Sequence, residues 1–397
     1  MKEVILVLNA GSSSIKFCLF QPSGNNAIEL DLVLSGHLEG LYGNSQFSVK
    51  NELQSEIYTK TWSISESLSH ETALKIISEF LEQQRSRFSI KAIGHRVVHG
   101  GTYYSDPLII NRENIKVLES LNPLAPLHQP HNISLIKLLM NSYPKIFHIA
   151  CFDTAFHRTN PLKAQLFALP LAYAEKGIRR YGFHGSSYEY IAEQLPRFSS
   201  RASQGKTIVC HLGNGASLCA LEKCRSIYST TGFTAVEGLM MGTRTGSIDP
   251  GVILYLLETE KLTARQVEQL IYKESGLLGV SGISNDMRKL LASNKKEAKL
   301  AIDMYIFQIQ KSIGMLTAIL GGLDSIVFTA GIGENSIEIR ERVCESCVWL
   351  GLEINHHANQ ASLNTMHSGT SKIEILMIPT HEEYIIAKHT WEKCINA

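Results

Sequence analysis

The sequence predicts an α/β protein of two similar domains, each with a mixed central sheet flanked by helices. The chain of 397 residues is longer than a single hydrophobic core usually supports. Segments with strand periodicity alternate with segments of helical periodicity. A strand–turn–strand motif around Gly11 has the same layout as one around Gly215, so the second half is predicted to repeat the first.

The domain boundary is predicted after Phe152, where a buried strand ends and the pattern starts again. Domain I is then 1–152 together with 384–397, because the last helix is expected to pack back on the first domain. Domain II is 153–383. Two domains that each offer a turn of phosphate size predict an active-site cleft between them.

The composition favours an ordinary globular protein without a polyanionic partner. Hydrophobic residues make up 44% and charged residues 19%, and the net charge of +1 provides no general attraction to nucleic acid or an anionic membrane. No segment approaches 18 consecutive apolar residues, so we expect a cytoplasmic protein. The eight cysteines do not form a disulfide framework. Cys344 and Cys347 fall in a helical pattern, which favours a structural role over metal or redox chemistry.

Residues 9–16, Asn-Ala-Gly-Ser-Ser-Ser-Ile-Lys, lie between two apolar runs and predict a strand, a tight turn and a returning strand. Gly11 allows a ligand to approach the backbone closely. Asn9, the serines and Lys16 supply donors beside the free N–H groups of the turn. Such a turn suits a phosphate. A serine-rich hairpin without a ligand is the alternative.

Periodicity, capping residues and glycines predict the remaining elements. Helices are predicted at 70–84 after the cap residue Ser69, and at 112–121, 131–142, 295–320 and 337–350. Three further helices are predicted to begin at capping boxes, which are Ser186/Glu189, Thr263/Gln266 and Thr380/Glu383. Strands are predicted within 30–64 and at 92–98, 146–152, 207–212, 218–221, 325–329 and 373–378. The proline-rich piece 122–130 is predicted to be irregular.

Two nucleotide-binding signatures can be compared with these elements. Gly205-Lys206-Thr207 resembles the end of a P-loop, but the leading glycine is missing and a strand follows where a helix is needed, so we reject it. Gly331-Ile-Gly333 after a strand is a fragment of a dinucleotide fingerprint. We retain it only as a helix N-terminus that contacts nucleotide phosphates.

Polar residues at predicted strand ends and in glycine-rich loops are the candidate site residues. Asn9, Asp153 and Glu382 follow apolar strands, where open α/β sheets bind ligands. Asp153 and Glu382 are therefore candidate Mg²⁺ ligands, against the alternatives of a turn-forming Asp and a helix-opening Glu.

Cationic side chains in glycine-rich loops form a second group of candidates. Arg96 precedes a Gly-Gly turn and Arg244 lies in a glycine-rich loop, positions suited to clamping a carboxylate or phosphate. His184, between glycines, favours function over packing. His95 and His99 have no further ligand nearby in the sequence to complete a metal site.

These motifs together resemble the acetate and propionate kinase family, within the actin-like, sugar-kinase and heat-shock-chaperone ATPase fold of the RNase H-like type. The matching pieces span the chain in order: NAGSSSIK (9–16), GHRVVHGG (94–101), APLH (125–128), FDTAFH (152–157), RRYGFHGSS (179–187), HLGNGAS (211–217), GLMMGTRTG (238–246), FTAGIGEN (328–335) and PTHEE (379–383). The resemblance implies reversible phosphoryl transfer from ATP to acetate, with ADP and acetyl phosphate as products, Mg²⁺ or Mn²⁺ as metal, and a homodimer formed through domain II.

The resemblance also implies roles for individual residues. Asn9 and Glu382 would hold Mg²⁺, Asp153 is the catalytic carboxylate, and His184 and Arg244 would stabilise the transition state. Arg96 would bind the substrate carboxylate, His128 would orient phosphate, and Val98, Leu127 and Phe183 would line the acyl pocket. The implied ATP site consists of Ser12, Lys16, His211, Leu212, Gly213, Asn214, Gly215, Asp286, Met287, Arg288, Gly331, Ile332, Gly333, Glu334 and Asn335.

Four residues depart from the pattern of that family. Ala235 replaces a common pocket proline, which is expected to widen the acyl site and admit propionate. Ser247 replaces an aspartate near Arg244, His381 an asparagine before Glu382, and Tyr188 a histidine. Propionate kinase is therefore the alternative within the family. Outside this activity, we consider a non-catalytic nucleotide-binding regulator and a kinase that phosphorylates hydroxyl groups.

Overall fold

The computed structural model describes residues 1–11, 14–23, 29–126 and 128–397. The chain divides into two compact units, Met1–Ala155 with His381–Ala397, and Phe156–Thr380. Asp153 and Glu382, which the sequence assigned to domain II, both lie in the first unit.

The first unit contains an eight-stranded sheet in the order β5-β4-β3-β2-β1-β6-β8-β7. Its strands are β1 (Lys2–Ala10), β2 (Ser14–Ser23), β3 (Glu29–Glu39), β4 (Ser45–Asn51), β5 (Glu56–Trp62), β6 (Phe88–Val97), β7 (Leu108–Ile109) and β8 (Phe147–Phe152). Its helices are α1 (His70–Gln83), α2 (Asn114–Ser120), α3 (Gln129–Ser142) and the C-terminal α16 (Glu382–Ile395), with 3₁₀ turns at Ile64–Glu66 and Asn122–Leu124.

The second unit contains a five-stranded sheet in the order β11-β10-β9-β12-β13. Its strands are β9 (Lys206–Leu212), β10 (Ala216–Glu222), β11 (Arg225–Ser229), β12 (Ser325–Thr329) and β13 (Glu374–Met377). Its helices are α4 (Leu162–Gln165), α5 (Leu171–Glu175), α6 (Gly185–Phe198), α7 (Ser200–Gln204), α8 (Pro250–Glu258), α9 (Ala264–Lys273), α10 (Gly276–Ser281), α11 (Met287–Leu291), α12 (Lys296–Leu320), α13 (Ala330–Asn335), α14 (Ile337–Ser346) and α15 (His356–Gln360). Val348–Leu350 is a 3₁₀ turn, and Ala155–Thr159 is another at the junction of the units.

The two sheets share a five-strand pattern, which confirms the predicted similarity of the two halves. In the first unit, β3, β2 and β1 are antiparallel neighbours, while β1, β6 and β8 run parallel. In the second unit, β11, β10 and β9 are antiparallel, while β9, β12 and β13 run parallel. The carboxyl ends of three parallel strands therefore meet at one edge of each sheet.

Alternation along the strands explains why helices cover both faces of each sheet. In β1, Val4, Leu6 and Leu8 pack with α1 and α3, whereas Ile5 and Val7 pack with α16. In β9, Ile208, Cys210 and Leu212 pack with α12. Val209 points to the other face and packs with α6. Burial on both faces explains the continuous apolar runs of the central strands.

Most predicted helices and strands are present, and the caps at Ser69 and Thr263 are confirmed. Ser69 accepts a hydrogen bond from the Thr72 N–H, and Thr263 and Gln266 form a reciprocal capping box. Gly321 ends α12 in the left-handed conformation with φ of 66°. Cys344 is in α14 and Cys347 directly follows it, and both thiols are buried.

Several sequence predictions of local structure were wrong. α6 begins at Gly185, so Ser186 is inside the helix rather than its cap. α16 begins at Glu382 with His381 at its N-cap position, so Thr380 does not cap it. The piece 122–130 includes a 3₁₀ turn and the first residues of α3, because a proline is tolerated in a first helical turn.

Two further predictions placed a residue or a turn in the wrong element. The turn at 330–335 is the helix α13, which begins with Ala330 at φ of 64°. Asn9 is not past a strand end but is the penultimate residue of β1.

Candidate functional site

In the first unit, polar side chains meet at the carboxyl ends of β1, β6 and β8. Arg96 is near the end of β6, Asp153 directly follows β8, and Asn9 is near the end of β1. Arg96 Nε donates to Asp153 Oδ1 over 3.0 Å, and Arg96 Nη2 donates to Asp153 Oδ2. Arg96 Nη1 donates to Asn9 Oδ1 over 3.1 Å. The predicted clamp, catalytic carboxylate and metal ligand are therefore in direct contact.

Burial and charge reinforce this arrangement. The Asp153 side chain is 2% exposed and that of Arg96 17%, so the pair is shielded from water. Burial alone would lower the pKa of Arg96, but the charge and hydrogen bonds of Asp153 outweigh it and raise that pKa. The Arg96 cation is thus fixed in its charged form.

The N-terminus of α16 adds two carboxylates to the same cluster. Asn9 Nδ2 donates to Glu383 Oε1 over 3.4 Å. Burial raises the pKa of Glu382 to about 7, with the charges of Glu383 and Asp153 acting in the same direction and those of Arg96 and Lys16 opposing it. Lys16, exposed on β2, pairs in register with Asn9.

The remaining predicted residues of this unit lie around the start of α3. Val98 is buried, and His128 is half-buried at the N-cap position of α3. Ser12 and Leu127, predicted for ATP and the acyl pocket, are outside the described residues.

In the second unit, two predicted residues converge on Gly215 in the turn between β9 and β10. A Cβ atom at Gly215 would lie 3.2 Å from His184 Nε2 and 3.8 Å from Arg244 Nη1. Arg244 Nη1 also donates to the Ala235 carbonyl over 3.0 Å. The missing side chain of Gly215 therefore leaves the histidine and the arginine facing the same turn.

The imidazole ring of His184 is fixed by a hydrogen-bond chain of two hydroxyl groups at its Nδ1 atom. His184 has a left-handed backbone with φ of 59° at the start of α6, a conformation that costs energy for a residue with a side chain. Its Nδ1 is 2.7 Å from Ser217 Oγ, which is 2.5 Å from the Tyr188 hydroxyl. Its ring stacks on that of His211 with centroids 4.3 Å apart. The strained backbone and the fixed ring are typical of a functional side chain rather than a packing one.

A second hydrogen-bond chain connects the strand ends of this sheet. His211 Nδ1 is 2.8 Å from Ser187 Oγ, which is 2.9 Å from Thr380 Oγ1. Glu334 Oε1 accepts hydrogen bonds from the N–H groups of Ala330 (2.7 Å) and Thr380 (3.0 Å). The Glu334 side chain therefore binds backbone groups and stabilises the junction of β12, β13 and α13.

Other predicted ATP-site residues serve local turns in the structure. Asp286 caps α11, and the exposed Arg288 guanidinium returns to it over 3.0 and 2.7 Å. This hydrogen bond lowers the pKa of Asp286, with backbone and charge contributions from Arg288 in the same direction. The Asn214 carbonyl accepts the Gly242 N–H over 3.0 Å, and Asn335 Nδ2 donates to the Gly331 carbonyl over 2.8 Å.

The other predicted residues of the second unit are largely buried. Phe183 is 2% exposed, and its N–H donates to Thr231 Oγ1 over 2.9 Å. Leu212 and Met287 are core residues. Gly213 and Ile332 are half-buried, and Gly333 is buried.

Sequence reasoning missed the residues that support these groups. The sequence indicates Ser217 only as part of the repeated glycine-rich turn, and it indicates Glu383 only as part of a predicted helix cap. The ion pair of Arg180 Nη1 with Glu237 Oε1 (2.5 Å) ties the segment before His184 to the loop that carries Arg244. The fully buried Arg340 donates to the carbonyls of Gly333 and Glu334 over 3.0 and 2.7 Å. The available sequence signal for the ion pair was that Arg180 lies in the motif 179–187 and Glu237 directly precedes the motif 238–246.

Two other kinds of site are absent among the described residues. Among them, no group of three or more His, Cys, Asp or Glu side chains is placed to hold a metal ion. None of the described helices is long and apolar enough to cross a membrane.

Comparison with known proteins gives one consistent result. The Acetokinase family matches residues 4–388. The acetate kinase of Rhodopseudomonas palustris strain TIE-1 is 48% identical over 394 residues, covering 98% of both chains. A propionate kinase from Francisella tularensis superposes with a TM-score of 0.89 at 34% identity, covering 98% of this chain and 99% of the other. The Porphyromonas gingivalis acetate kinase superposes at 0.84 and 35% identity, with the same coverage. This chain belongs to the acetokinase family, a family of phosphotransferases.

Proposed function

We propose that this chain is an acetate kinase that reversibly transfers the γ-phosphoryl group of ATP to the acetate carboxylate. The observation that carries the proposal is the Arg96 guanidinium, which Asp153 and Asn9 hold at the carboxyl end of β6. A fixed, charged guanidinium near buried Val98 suits a short carboxylate with an apolar tail. The acetate kinases at 42–48% identity support the same activity.

The chemistry of the reaction explains the excess of cationic groups. A carboxylate with an ordinary pKa of about 4 is already ionised at neutral pH, so the acceptor needs no strong base. The obstacle is repulsion between this anion and the γ-phosphate, about 1 kcal/mol in water at 4 Å and about 4 kcal/mol at an effective dielectric constant of 20. We assign Arg96 to the substrate carboxylate, and Arg244 with His184 to the charge on the transferring phosphoryl group.

The hydrogen bonds of His184 suit this role. If Tyr188 donates to Ser217 and Ser217 donates to Nδ1, then Nε2 carries the proton and faces the turn at Gly215. An N–H donor in that position can stabilise a phosphoryl oxygen. Tyr188, which stands where the family pattern has a histidine, therefore supplies a hydroxyl partner for Ser217.

Asp153 is better understood as a positioning group than as a base. Both of its oxygens accept hydrogen bonds from Arg96, and it is almost completely buried. Its proposed role is to orient the guanidinium for the incoming carboxylate.

Asn9 and the carboxylates of the first unit supply oxygen atoms, the ligand type that Mg²⁺ prefers and that Mn²⁺ accepts. Asn9 and Glu382 are the proposed ligands. Burial and the like charges of Glu383 and Asp153 disfavour ionisation of Glu382, and a divalent cation would offset that cost. The metal would neutralise phosphate charge during transfer.

We propose that ATP binds the second unit along His211–Gly215, Asp286–Arg288 and Gly331–Asn335. The ATP roles that the resemblance implies for Ser12 and Lys16 are part of the same proposal. A helix N-terminus favours anions, and the glycines in the first turn of α13 let phosphate oxygens approach the backbone closely. His128 is proposed to orient phosphate. Because ATP is a cytoplasmic co-substrate, we propose that the enzyme acts in the cytoplasm.

Propionate is the second candidate acceptor, favoured by the similarity to a propionate kinase structure. Val98, Leu127 and Phe183 are the proposed acyl wall, and Ala235 lies on the loop that binds Arg244. One additional methylene changes the free energy that separates two substrates by only about 1–3 kcal/mol. The branched side chain of Val98 can exclude that methylene sterically, which favours acetate over propionate.

Two rival functions of other classes are less well supported. A non-catalytic regulator would be expected to lose the clamp, yet Arg96, Asp153 and Asn9 are hydrogen-bonded together. A hydroxyl-phosphorylating kinase would need a base for an un-ionised acceptor, whereas Asp153 is bound to Arg96.

We also propose a homodimer formed through the second unit. Helix α8 reads PGVILYLLE, and none of its residues is buried. Val252, Leu254 and Tyr255 are 43%, 56% and 54% exposed. An exposed apolar face of this kind is typical of a protein–protein interface, and a second copy of the chain is the proposed partner.

The test of the activity is acyl phosphate formation from acetate, propionate and butyrate with Mg-ATP, trapped with hydroxylamine. We expect the highest kcat/KM for acetate. A higher kcat/KM for propionate would favour propionate kinase, and formation of no acyl phosphate from any short acid would exclude both activities.

A further inference from the structure

The first turn of α3 carries two buried side-chain amides with different connections. Asn132 is 1% exposed and Gln129 0%. Asn132 Oδ1 accepts the Val98 N–H over 3.1 Å, and Asn132 Nδ2 donates to the Ala10 carbonyl over 3.0 Å. One carboxamide therefore bridges the backbones of β1 and of the segment that continues β6.

This bridge lies beyond the region where the two strands pair. The parallel ladder between β1 and β6 runs from Lys2–Phe88 to Leu8–His95. Ala10 and Val98 are two and three residues past its last pair. Beyond the last backbone pair of the two strands, the hydrogen bonds of the Asn132 side chain therefore connect the two backbones.

The residues between the ladder and the bridge are the proposed carboxylate and metal residues. Asn9 precedes Ala10, and Arg96 lies two residues before Val98. Their side chains meet, with Arg96 Nη1 donating to Asn9 Oδ1 over 3.1 Å. The separation of the two backbones therefore sets where the Arg96 guanidinium and the Val98 side chain can meet a substrate.

We propose that Asn132 is a positioning residue for the carboxylate site, acting through the backbones of Ala10 and Val98. The inference rests on the proposed function for its kinetic consequence. The opposing interpretation is that Asn132 only satisfies buried polar groups.

Gln129 provides a matched control for that interpretation. Its amide is equally buried and lies in the same helical turn. It binds the N–H and carbonyl of His99 and the Leu118 carbonyl over 3.1, 3.0 and 3.3 Å. Gln129 therefore connects the segment after β6 to α2 through His99 and Leu118, and none of these hydrogen bonds involves Ala10 of β1.

The experiment compares Asn132→Leu with Gln129→Leu in the full-length protein. Both substitutions remove a buried amide, so both are expected to lower Tm. For Asn132→Leu we expect KM for acetate to rise about tenfold, the size expected for a lost pair of buried hydrogen bonds, with the Kd for ADP within about twofold of wild type. For Gln129→Leu we expect KM for acetate to stay within about threefold. Equal KM changes in both variants, or an unchanged KM in Asn132→Leu, would overturn the proposal.

Amide hydrogen exchange tests the same bridge without relying on activity. We expect faster exchange at Val98 and in residues 9–11 in Asn132→Leu than in Gln129→Leu. If the first variant does not fold, Asn132→Asp retains the acceptor for Val98 and loses the donor to Ala10, so only residues 9–11 should exchange faster. Unchanged exchange would contradict the bridge. A wild-type protein without acyl phosphate activity would instead count against the proposed function alone.

Discussion

The two proposed anion-binding arginines differ in what holds them. Arg96 is fixed by a buried carboxylate and the Asn9 amide, whereas Arg244 binds the Ala235 carbonyl and faces the turn at Gly215. The first arrangement suits a group that binds a substrate in its ground state. The second suits a group that interacts with charge as it develops.

Substitution of each arginine should therefore change a different kinetic constant. We expect Arg96→Ala to raise KM for acetate about 10–100-fold, because a charged hydrogen bond contributes about 1.5–3 kcal/mol. We expect Arg244→Ala to lower kcat about 10²–10³-fold. Steady-state kinetics with acetate and ATP varied separately gives both values.

The Arg96→Ala variant also leaves Asp153 buried without its cation, so a parallel urea titration is needed to score folded protein only. Equal effects of the two substitutions, on KM alone, would contradict the assigned roles.

A buried histidine predicts the acid sensitivity of the second unit. Burial lowers the pKa of His157 from 6.5 to about 4, and a hydrogen bond with the Phe183 carbonyl opposes that shift. The unfolded chain therefore binds a proton at a higher pH than the folded chain does. The stabilising contribution is complete above about pH 6.5 and is lost as the pH falls to 4, a change of about 3 kcal/mol. The pKa values of His95 and His148 are also lowered by burial and act in the same direction.

Urea unfolding at several pH values between 7 and 4 measures this contribution. His157→Gln should be less stable at pH 7 and lose less stability on acidification than wild type. His357→Gln, at an exposed site of α15, is the control and should follow the wild-type curve. The same pH slope in His157→Gln and wild type would refute the assignment.

At the scale of elements, two glycines of α12 should respond in opposite ways to the same substitution. Gly314 is inside the helix, and an added Cβ would only contact Trp349 at 3.8 Å. Gly321 ends the helix with φ of 66°, where any other residue is strained. We expect Gly314→Ala to raise the free energy of unfolding by about 0.5–1 kcal/mol and Gly321→Ala to lower it by about 1 kcal/mol. Chemical denaturation measures both, and a change of the same sign in both would contradict the assignment.

Elements with strong local signals could be predicted from the sequence. The amphipathic stripe of α12 and its terminal Gly321, the Ser69 cap and the apolar strand 147–152 are examples. The predicted cap at Thr380 failed where a tertiary contact engages the same residue, since Thr380 Oγ1 is 2.9 Å from Ser187 Oγ. The predicted cap at Ser186 failed because His184 takes the N-cap position of α6, with a backbone conformation that no local motif indicates.

The candidate site was predicted from motifs more completely than from physical patterns. Residues near strand ends, such as Asn9 and Asp153, could be identified because parallel strands bring their ends together. Supporting residues such as Ser217 and Asn132 act through contacts between distant segments. Sequence periodicity does not contain those contacts.

At the scale of the whole molecule, the repeat extends further than two hairpins. Five strands in each sheet have the same order and directions, although the first sheet has three additional strands, β4, β5 and β7. The sequence signal was limited to the glycine-rich turns. The equivalence of the later parallel strands depends on strand order, which a single sequence does not show.

The apolar exterior of α8 leads to a prediction about assembly. We expect a dimer in sedimentation equilibrium, and Leu254→Glu should shift it towards monomer because burying a charge at an interface is costly. Leu53→Glu in the first unit, at a site 81% exposed, should remain dimeric. A monomeric wild type, or a Leu254→Glu variant as dimeric as the control, would contradict the proposed interface.

The most direct test of the proposed reaction is hydroxylamine trapping of acyl phosphate from acetate, propionate and butyrate with Mg-ATP. We expect acyl hydroxamate in proportion to ADP formed, with kcat/KM highest for acetate. ADP formation without hydroxamate, or no turnover with any of the three acids, would contradict the assignment of this chain as a carboxylate kinase.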